Sequence, residues 1–285
     1  MGRRKENKNE KKESASLRFL YGCAFGRLIL KLLTGRWLSK LAGHFLDSRL
    51  SARLSKGFIE KNGIDITEYE KDKFDSFNDC FTRKIKGGAR PFDTAPEALC
   101  SPCDGLLSVY DIDGSSVIPV KQSAYTINDL LDGDEAAKKF SGGICLVIRL
   151  CVDNYHRYAY IDSGVKEKNI FIKGKLHTVR PIALEKYPVF VRNCREWTLM
   201  HTENFGDVAE IEVGALLVGK IKNHDGEGSF IRGSEKGMFL YGGSTVVLLF
   251  EADKISLDEK YDSCKGGATE IPVKMGERIG IASTK

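Results

Sequence analysis

Residues 241–250 read YGGSTVVLLF, so two glycines and two hydroxyl residues run straight into an apolar segment. The segment 246–250 is typical of a buried β-strand, and glycine tolerates the strained dihedral angles of a sharp turn before it. Ser244 therefore lies at the start of a core strand, and its hydroxyl is within reach of the Gly243 carbonyl. We interpret the Gly243–Ser244 bond as a self-cleavage site. The same residues are also typical of an ordinary turn, and the stretch alone leaves both interpretations open.

The chain from about residue 98 onward has the pattern of a mainly antiparallel β domain. Residues 106–110 and 144–150 are apolar runs, and residues 208–213 alternate between apolar and other side chains with a period of two. Gly and Asp punctuate these short segments. We therefore predict an α+β fold, in which an amphipathic helical amino-terminal region precedes a mainly antiparallel β domain of barrel or sandwich type.

The amino-terminal region is basic and divides into two parts. Residues 1–60 hold 14 Lys and Arg against 5 Asp and Glu, whereas the whole chain has a net charge of +5, so the remainder is mildly acidic. Residues 1–16 are polar and charged, which predicts a disordered basic tail. Residues 17–90 are predicted to be a helical, membrane-associating region, because Leu and Tyr recur at helical spacing between basic residues over 17–56. Packing of these helices on their own domain is the alternative.

The same sequence patterns predict the catalytic domain, two further helices and the location of the protein in the cell. Residues 91–285 form the predicted β-rich catalytic domain, and helices are further predicted at 67–85 and 121–131. No uncharged run approaches the roughly 20 apolar residues of a spanning helix. We expect a peripheral protein on the cytoplasmic face of the cell membrane, attracted to an anionic surface. Nucleic acid is excluded as a partner, because the basic residues alternate with apolar ones.

Only a few reactive side chains lie in sequence motifs that indicate a catalytic role. His156 lies in DNYHRY (153–158), directly after an apolar strand, and Asp104 lies in SPCDG (101–105). Activation of a serine needs a base that takes its proton and an acid that orients the base. Both residues are also compatible with surface or turn roles. The eight cysteines include a single CxxC at Cys100 and Cys103, which lacks the further ligands of a zinc site, so reduced thiols and no metal are expected.

Taken together, these motifs resemble the phosphatidylserine decarboxylase family. The resemblance covers most of the chain beyond the charged tail, and its most specific part contains Ser244. The matching stretches are FNDCFTRKIKGGARPFD (77–93), SPCDG (101–105), DNYHRY (153–158), ENFGDVAEIEVGALLVGKI (203–221) and RGSEKGMFLYGGSTVVLLFE (232–251).

The resemblance implies a proenzyme that cuts itself between Gly243 and Ser244 into a β chain (1–243) and an α chain (244–285). Ser244 would become a covalently bound pyruvoyl group, the only cofactor, which would form a Schiff base with phosphatidylserine. The products would be phosphatidylethanolamine and CO2, a step of phospholipid biosynthesis. His156 would serve as the base for Ser244, and Asp104 would orient His156. The two chains are expected to stay associated.

Two departures from the family pattern bear on the mechanism. Many relatives carry a second histidine where this chain has Ala159, so the group that protonates the product is open, with His156 and His177 as candidates. Gly242 replaces a common leucine and keeps the turn flexible. A decarboxylase of a soluble amino acid and a non-catalytic membrane-bound β scaffold are the alternative functions. Four cations are candidates for binding the phosphate: Arg149, Arg157, Lys175 and Arg180.

Overall fold

The computed structural model describes residues 15–33, 36–120, 123–179, 183, 187–215, 221–240 and 244–283. The helices in these residues are α1 (Ala15–Gly22), α2 (Ala24–Leu33), α3 (Arg36–Leu46), α4 (Arg53–Asn62), α5 (Phe77–Phe81), α6 (Ile127–Leu130) and α7 (Val189–Arg192). The strands are β1 (Ala98–Cys100), β2 (Gly105–Asp111), β3 (Val117–Val120), β4 (Ser123–Thr126), β5 (Ile144–Leu150), β6 (Arg157–Ala159), β7 (Gly164–Lys166), β8 (Ile170–Ile172), β9 (Arg195–Thr202), β10 (Gly206–Val213), β11 (Ile221–Asn223), β12 (Gly228–Phe230), β13 (Glu235–Phe239), β14 (Ser244–Phe250), β15 (Ile255–Leu257), β16 (Ile271–Val273) and β17 (Arg278–Ala282).

One large antiparallel sheet forms the centre of the molecule. Its order is β12-β7-β9-β10-β14-β5-β2-β16, and β8 pairs with β9 beside this path. Strand β14 lies in the middle, bonded to β10 on one side and β5 on the other. All of its residues are buried, so the apolar run after Ser244 forms a core strand as the sequence indicates.

Smaller sheets accompany the large one. Strands β11-β13-β6 and β1-β17-β15 form two three-stranded sheets, and β3 pairs with β4 in a hairpin. Every strand pairing in the described residues is antiparallel, and helices are few and short beyond residue 62. The α+β class with a β-rich body is therefore confirmed. Among the described strands the large sheet is open, with β12 and β16 at its edges, and no barrel closes.

Two of the predicted helices are largely wrong. Residues 121–131 were expected to be helical, but the described part contains β4 and only one helical turn, α6. Residues 67–85 contain the short α5 and otherwise turns and irregular backbone. The β-branched and aromatic residues near 125 favour a strand, and the pair Asp72 and Asp75 favours turns over helix. Short segments of mixed pattern are decided by tertiary packing rather than by local periodicity.

The amino-terminal helices are partly docked on the β body. Tyr21 and Leu30 belong to the main hydrophobic core, whereas a set of large apolar side chains remains exposed on α1 to α4 and the residues between α3 and α4. That set consists of Phe19, Phe25, Leu28, Leu41, Phe45, Leu50 and Leu54. None of the helices in the described part of the chain combines the length and apolar character needed to cross a bilayer. The predicted tail at 1–16 lies almost wholly outside the described residues, and the domain boundaries stay a prediction.

Candidate active site

Ser244 is the first residue of the central strand β14 and is completely buried. Its Cα pairs with Leu150, the last residue of β5. Within the described part of the chain, Ser244 Oγ has no hydrogen-bond partner. A buried hydroxyl without a partner costs about 1–3 kcal/mol, so this serine is not held there for stability. Gly243, on the other side of the predicted cleavage site, lies outside the described residues.

Asp104 lies at the same end of the sheet as Ser244, where β2 and β14 begin and β5 ends. It directly precedes β2, whose pairing of Leu106 with Arg149 places the start of β2 against the end of β5. This close approach requires Gly105, because a Cβ there would lie 3.0 Å from the Arg149 carbonyl oxygen. The Asp104 carboxylate accepts a hydrogen bond from the Met275 backbone at 2.8 Å and faces Arg90 Nε at 3.6 Å.

His156 follows strand β5 after the loop 151–155. Its ring is fully buried, and the ring centroid lies 4.0 Å from that of Phe81. The distance between His156 Nδ1 and the Asn154 carbonyl oxygen is 2.9 Å. Since a carbonyl oxygen only accepts, Nδ1 must carry the hydrogen, and Nε2 then holds the lone pair that a general base needs. The backbone of Asn154 therefore fixes the tautomer of His156.

The topology brings Ser244 and Asp104 to one end of the large sheet, and His156 follows six residues after Leu150, the last residue of β5. Two adjacent strands begin or end there, and β2 begins beside them, so Ser244 and the start of β2 are about 10 Å apart across β5. His156 directly precedes β6, the strand that carries Tyr158. The role of Asp104 towards His156 stays a prediction.

The structure also reveals a buried charged cluster that the sequence analysis missed. We call Glu210, Glu212 and Lys236 the Lys236 cluster; all three are fully buried. Lys236 Nζ donates to Glu212 and lies 3.6 Å from Glu210 Oε1. Burial raises the pKa of the Glu210 carboxyl to about 8, with Lys236 opposing the shift. Burial would lower the pKa of Lys236, but the two carboxylates outweigh it and raise that pKa.

The period-two pattern of residues 208–213 explains why this cluster was missed. Alternating Glu residues in a strand are typical of a solvent-facing side. Here the face that carries Glu210 and Glu212 is covered by β13, which supplies Lys236, and by β6. The partner lies 24 residues away from Glu212 along the chain, so the only signal in the sequence is the lysine beside Gly237 in the last family-like stretch.

Three of the other candidate residues have structural partners. His177 is buried against Tyr21 and Tyr187, and burial lowers its pKa to about 4. Arg149 pairs with Glu270, and Arg157 pairs with Glu235. Lys175 is exposed, and Arg180 lies outside the described residues.

Comparison with known proteins decides the family. Residues 77–281 match the family model for phosphatidylserine decarboxylase. A phosphatidylserine decarboxylase proenzyme 2 of Clostridium acetobutylicum is 44% identical over 94% of this chain and 92% of the relative. Proenzymes of Ruminiclostridium cellulolyticum and Clostridium perfringens are 43% and 37% identical, covering 93% and 97% of this chain and 90% and 97% of the relatives. The chain belongs to the phosphatidylserine decarboxylase family.

Membership confirms the resemblance seen in the sequence and makes the chain an enzyme of the carboxy-lyase class. The match begins at the start of α5 and ends within β17, so it contains the end of the sheet at which Ser244 lies. It excludes α1 to α4, which belong to the part covered by the full-length relatives.

Proposed function

We propose that this chain is a self-cleaving phosphatidylserine decarboxylase, which converts phosphatidylserine to phosphatidylethanolamine and CO2 with a pyruvoyl group made from Ser244. The observation that carries the proposal is the buried Ser244 Oγ, which lacks a hydrogen-bond partner among the described residues and stands at the first position of a central strand. An unpartnered hydroxyl is free to act as a nucleophile. The family and the proenzyme relatives support the same reading.

The self-cleavage uses only groups of the chain itself. Ser244 Oγ attacks the Gly243 carbonyl carbon while the lone pair of His156 Nε2 takes the hydroxyl proton. The peptide bond shifts to an ester between Gly243 and the serine oxygen. Elimination of the Gly243 carboxylate from that ester leaves dehydroalanine at 244, and water converts it to the pyruvoyl group with release of ammonia. Asp104, which accepts from Met275 and faces Arg90, has the proposed role of orienting His156.

The site fits this prosthetic group. A pyruvoyl carbonyl supplies an electron sink for the pair that is released when CO2 leaves. Residue 244 lies on the covered face of the large sheet. Val246 and Leu248 follow it along the same face of β14. Their apolar side chains exclude water from the reacting carbon, so charges placed nearby act at low dielectric constant.

The amino-terminal helices favour a lipid substrate over a soluble amino acid. Apolar residues such as Phe25 and Leu28 are 65% and 61% exposed on a helix that also carries Lys31. Exposed apolar side chains flanked by cations suit the interface of an anionic membrane. We therefore propose a peripheral location on the cytoplasmic face of the cell membrane, with phosphatidylserine drawn from that surface.

The proposal is tested on the purified full chain. On a denaturing gel the wild type should run as two fragments, and Ser244→Ala should run as one. Mass spectrometry should find the 244–285 fragment with a pyruvoyl terminus and no free amine. Release of CO2 should be faster from phosphatidylserine in detergent micelles than from free serine. An active wild-type chain that remains uncut would refute the mechanism, and a preference for free serine would refute the substrate.

A further inference from the structure

The Lys236 cluster has no part in the self-cleavage described above. Three charged groups without any solvent exposure are costly to bury, and an apolar trio of similar volume is often equally stable or more so. Glu210 is the most costly of the three to bury, because neither of its oxygens has a hydrogen-bond partner in the described residues. A cluster that stability does not require calls for a functional explanation.

The register of the sheet places this cluster beside Ser244. Glu212 pairs with Val246 across β10 and β14, so Ser244 is its diagonal neighbour on the same face, about 7–8 Å away. Glu210 pairs with Leu248 and lies one step farther from Ser244 along the same face. The order from the serine is therefore Glu212 with Lys236, and then Glu210 behind them.

A distortion of β13 directs Lys236 into this position. The pairing of β13 with β6 shifts between Glu235 and Gly237, so Lys236 is the extra residue of a β-bulge. Bulges re-aim side chains and are frequent beside active sites. Gly237 allows the bulge, because a Cβ there would lie 2.5 Å from the Lys222 carbonyl oxygen and 2.7 Å from the Tyr158 hydroxyl.

We propose that Lys236 is the proton donor that completes the decarboxylation, with Glu210 as its proton reserve; this rests on the proposed function. When the bond between the substrate α-carbon and its carboxylate breaks, the electron pair stays with the substrate and CO2 departs. The Lys236 ammonium transfers a proton to that carbon, which forms the new C–H bond. Neutral Lys236 then takes the proton of the Glu210 carboxyl, and Glu210 recovers a proton from solvent as product leaves.

The charge balance of the cluster suits this role. At neutral pH burial keeps Glu210 protonated, so the three groups together hold a charge of zero and one proton more than a lone Lys236–Glu212 pair. Other polar groups around the cluster come from every element packed on it. They are Glu196 and Thr198 of β9, Asn223 of β11, Tyr158 of β6, Tyr160 beyond it, Lys166 of β7 and Cys103 before β2.

The main experiment removes the ammonium and its counter-charge together. The double variant Lys236→Met, Glu212→Gln should be cut into two fragments like the wild type. Its turnover of phosphatidylserine should fall about 10²–10⁴-fold, the usual contribution of a general acid. The 244–285 fragment should also acquire a free alanine amino terminus during turnover, because a proton that reaches the chain's own carbon leaves the substrate nitrogen on the fragment. An amine-labelling reagent and mass spectrometry detect that terminus.

The control is Lys166→Met, which replaces another buried lysine near the cluster, one that donates to Asn169 and the Asp225 carbonyl rather than to Glu210 or Glu212. It should keep a blocked terminus and near-normal turnover. Unchanged turnover with a blocked terminus in the double variant would overturn the assignment, and so would a folded double variant that stays uncut. A wild type that is uncut or inactive would instead refute the proposed function.

Glu210→Gln keeps the Lys236–Glu212 pair and tests the reserve even if the double variant fails to fold. Wild-type turnover should decline as pH rises through about 8, where Glu210 loses its proton. The variant should be cut normally, turn over more slowly below that pH and lack this decline. Infrared spectra of the uncut Ser244→Ala chain at pH 7 should contain a protonated carboxyl band that Glu210→Gln removes. Persistence of both the band and the decline in Glu210→Gln would overturn the role of Glu210.

Discussion

At the scale of single residues, the candidate site depends on groups left in unfavourable or constrained states. Ser244 Oγ is buried without a hydrogen bond in the described chain, and His156 is held in one tautomer by the Asn154 carbonyl. Neither arrangement adds to the stability of an ordinary strand end. Both suit a hydroxyl that must give up its proton to Nε2 of a neutral imidazole.

Replacing His156 should therefore impair maturation before any substrate is present. We expect His156→Ala to fold but to be cut at least 100-fold more slowly than the wild type, because the base for Ser244 is lost. Fragment ratios on denaturing gels over time measure the rate. His201→Ala is the matched control, since His201 is partly exposed beside Asp207 at the far end of β9. Normal cutting of His156→Ala would exclude His156 as the base.

The sequence predicts some of these residues and cannot predict others. Ser244 stands out because glycines and an apolar strand flank it, and both signals are local. The Asn154 contact with His156 involves a backbone carbonyl, which leaves no trace in residue type. The spacing of Glu210 and Glu212 is typical of the solvent-facing side of a strand. Only the packing of a second sheet shows that they are buried with Lys236.

At the scale of elements, the short helix α1 is tied to the body by polar contacts of Tyr21. Tyr21 of α1 lies with its hydroxyl 3.4 Å from His177 Nδ1 and accepts a hydrogen bond from the Thr178 backbone at 3.2 Å. His177 also stacks on Tyr187, with ring centroids 4.6 Å apart. The docking of α1 thus depends on the neutral state of a buried imidazole.

We expect acid to loosen α1 while the large sheet stays folded. Burial depresses the pKa of His177 from 6.5 to about 4. A group with a lowered folded pKa contributes stability that is present above its unfolded pKa and is lost as pH falls, here from about 6.5 towards 4. Protection factors in α1, which are corrected for the intrinsic exchange rate at each pH, should therefore fall over this range.

Two variants check the cause of that change. His177→Phe keeps the ring stacking but cannot be protonated, so the α1 protection factors should lose their dependence on pH. Tyr21→Phe should raise α1 exchange at every pH, by a free energy of about 1 kcal/mol for the lost hydrogen bond. Exchange in β14 serves as the internal reference. If α1 responds to acid equally in His177→Phe and the wild type, His177 is not the titrating group.

At the scale of the whole molecule, the predicted cut leaves two interwoven chains. Residues 244–285 supply β14 at the centre of the large sheet, β16 at its edge, and β15 and β17 in a second sheet with β1. The α+β class follows from strand periodicity, but the order of these strands does not. Long-range pairings such as β14 with β5, about 100 residues apart, are set by packing that no local pattern encodes.

The cut protein should consequently behave as one folding unit. Burial of the five apolar residues 246–250 alone contributes on the order of 10 kcal/mol to holding the fragments together. We expect both fragments to elute together in size-exclusion chromatography and to unfold in one urea transition. Separation of the fragments without denaturant would contradict the position of β14.

Membrane attachment is a prediction that concerns the whole molecule. Exposed apolar residues concentrate on α1 to α4, while basic residues dominate the first 60 positions. We expect the full chain to co-sediment with vesicles containing anionic lipid, and binding to weaken as salt is raised because the headgroup attraction is screened. The double change Phe25→Glu, Leu28→Glu should reduce binding at least tenfold, whereas Ile231→Glu, which alters a side chain 70% exposed on the β body, should not. Equal losses in both variants would place the lipid-binding surface elsewhere, and binding that is indifferent to lipid charge would remove the electrostatic part of the argument.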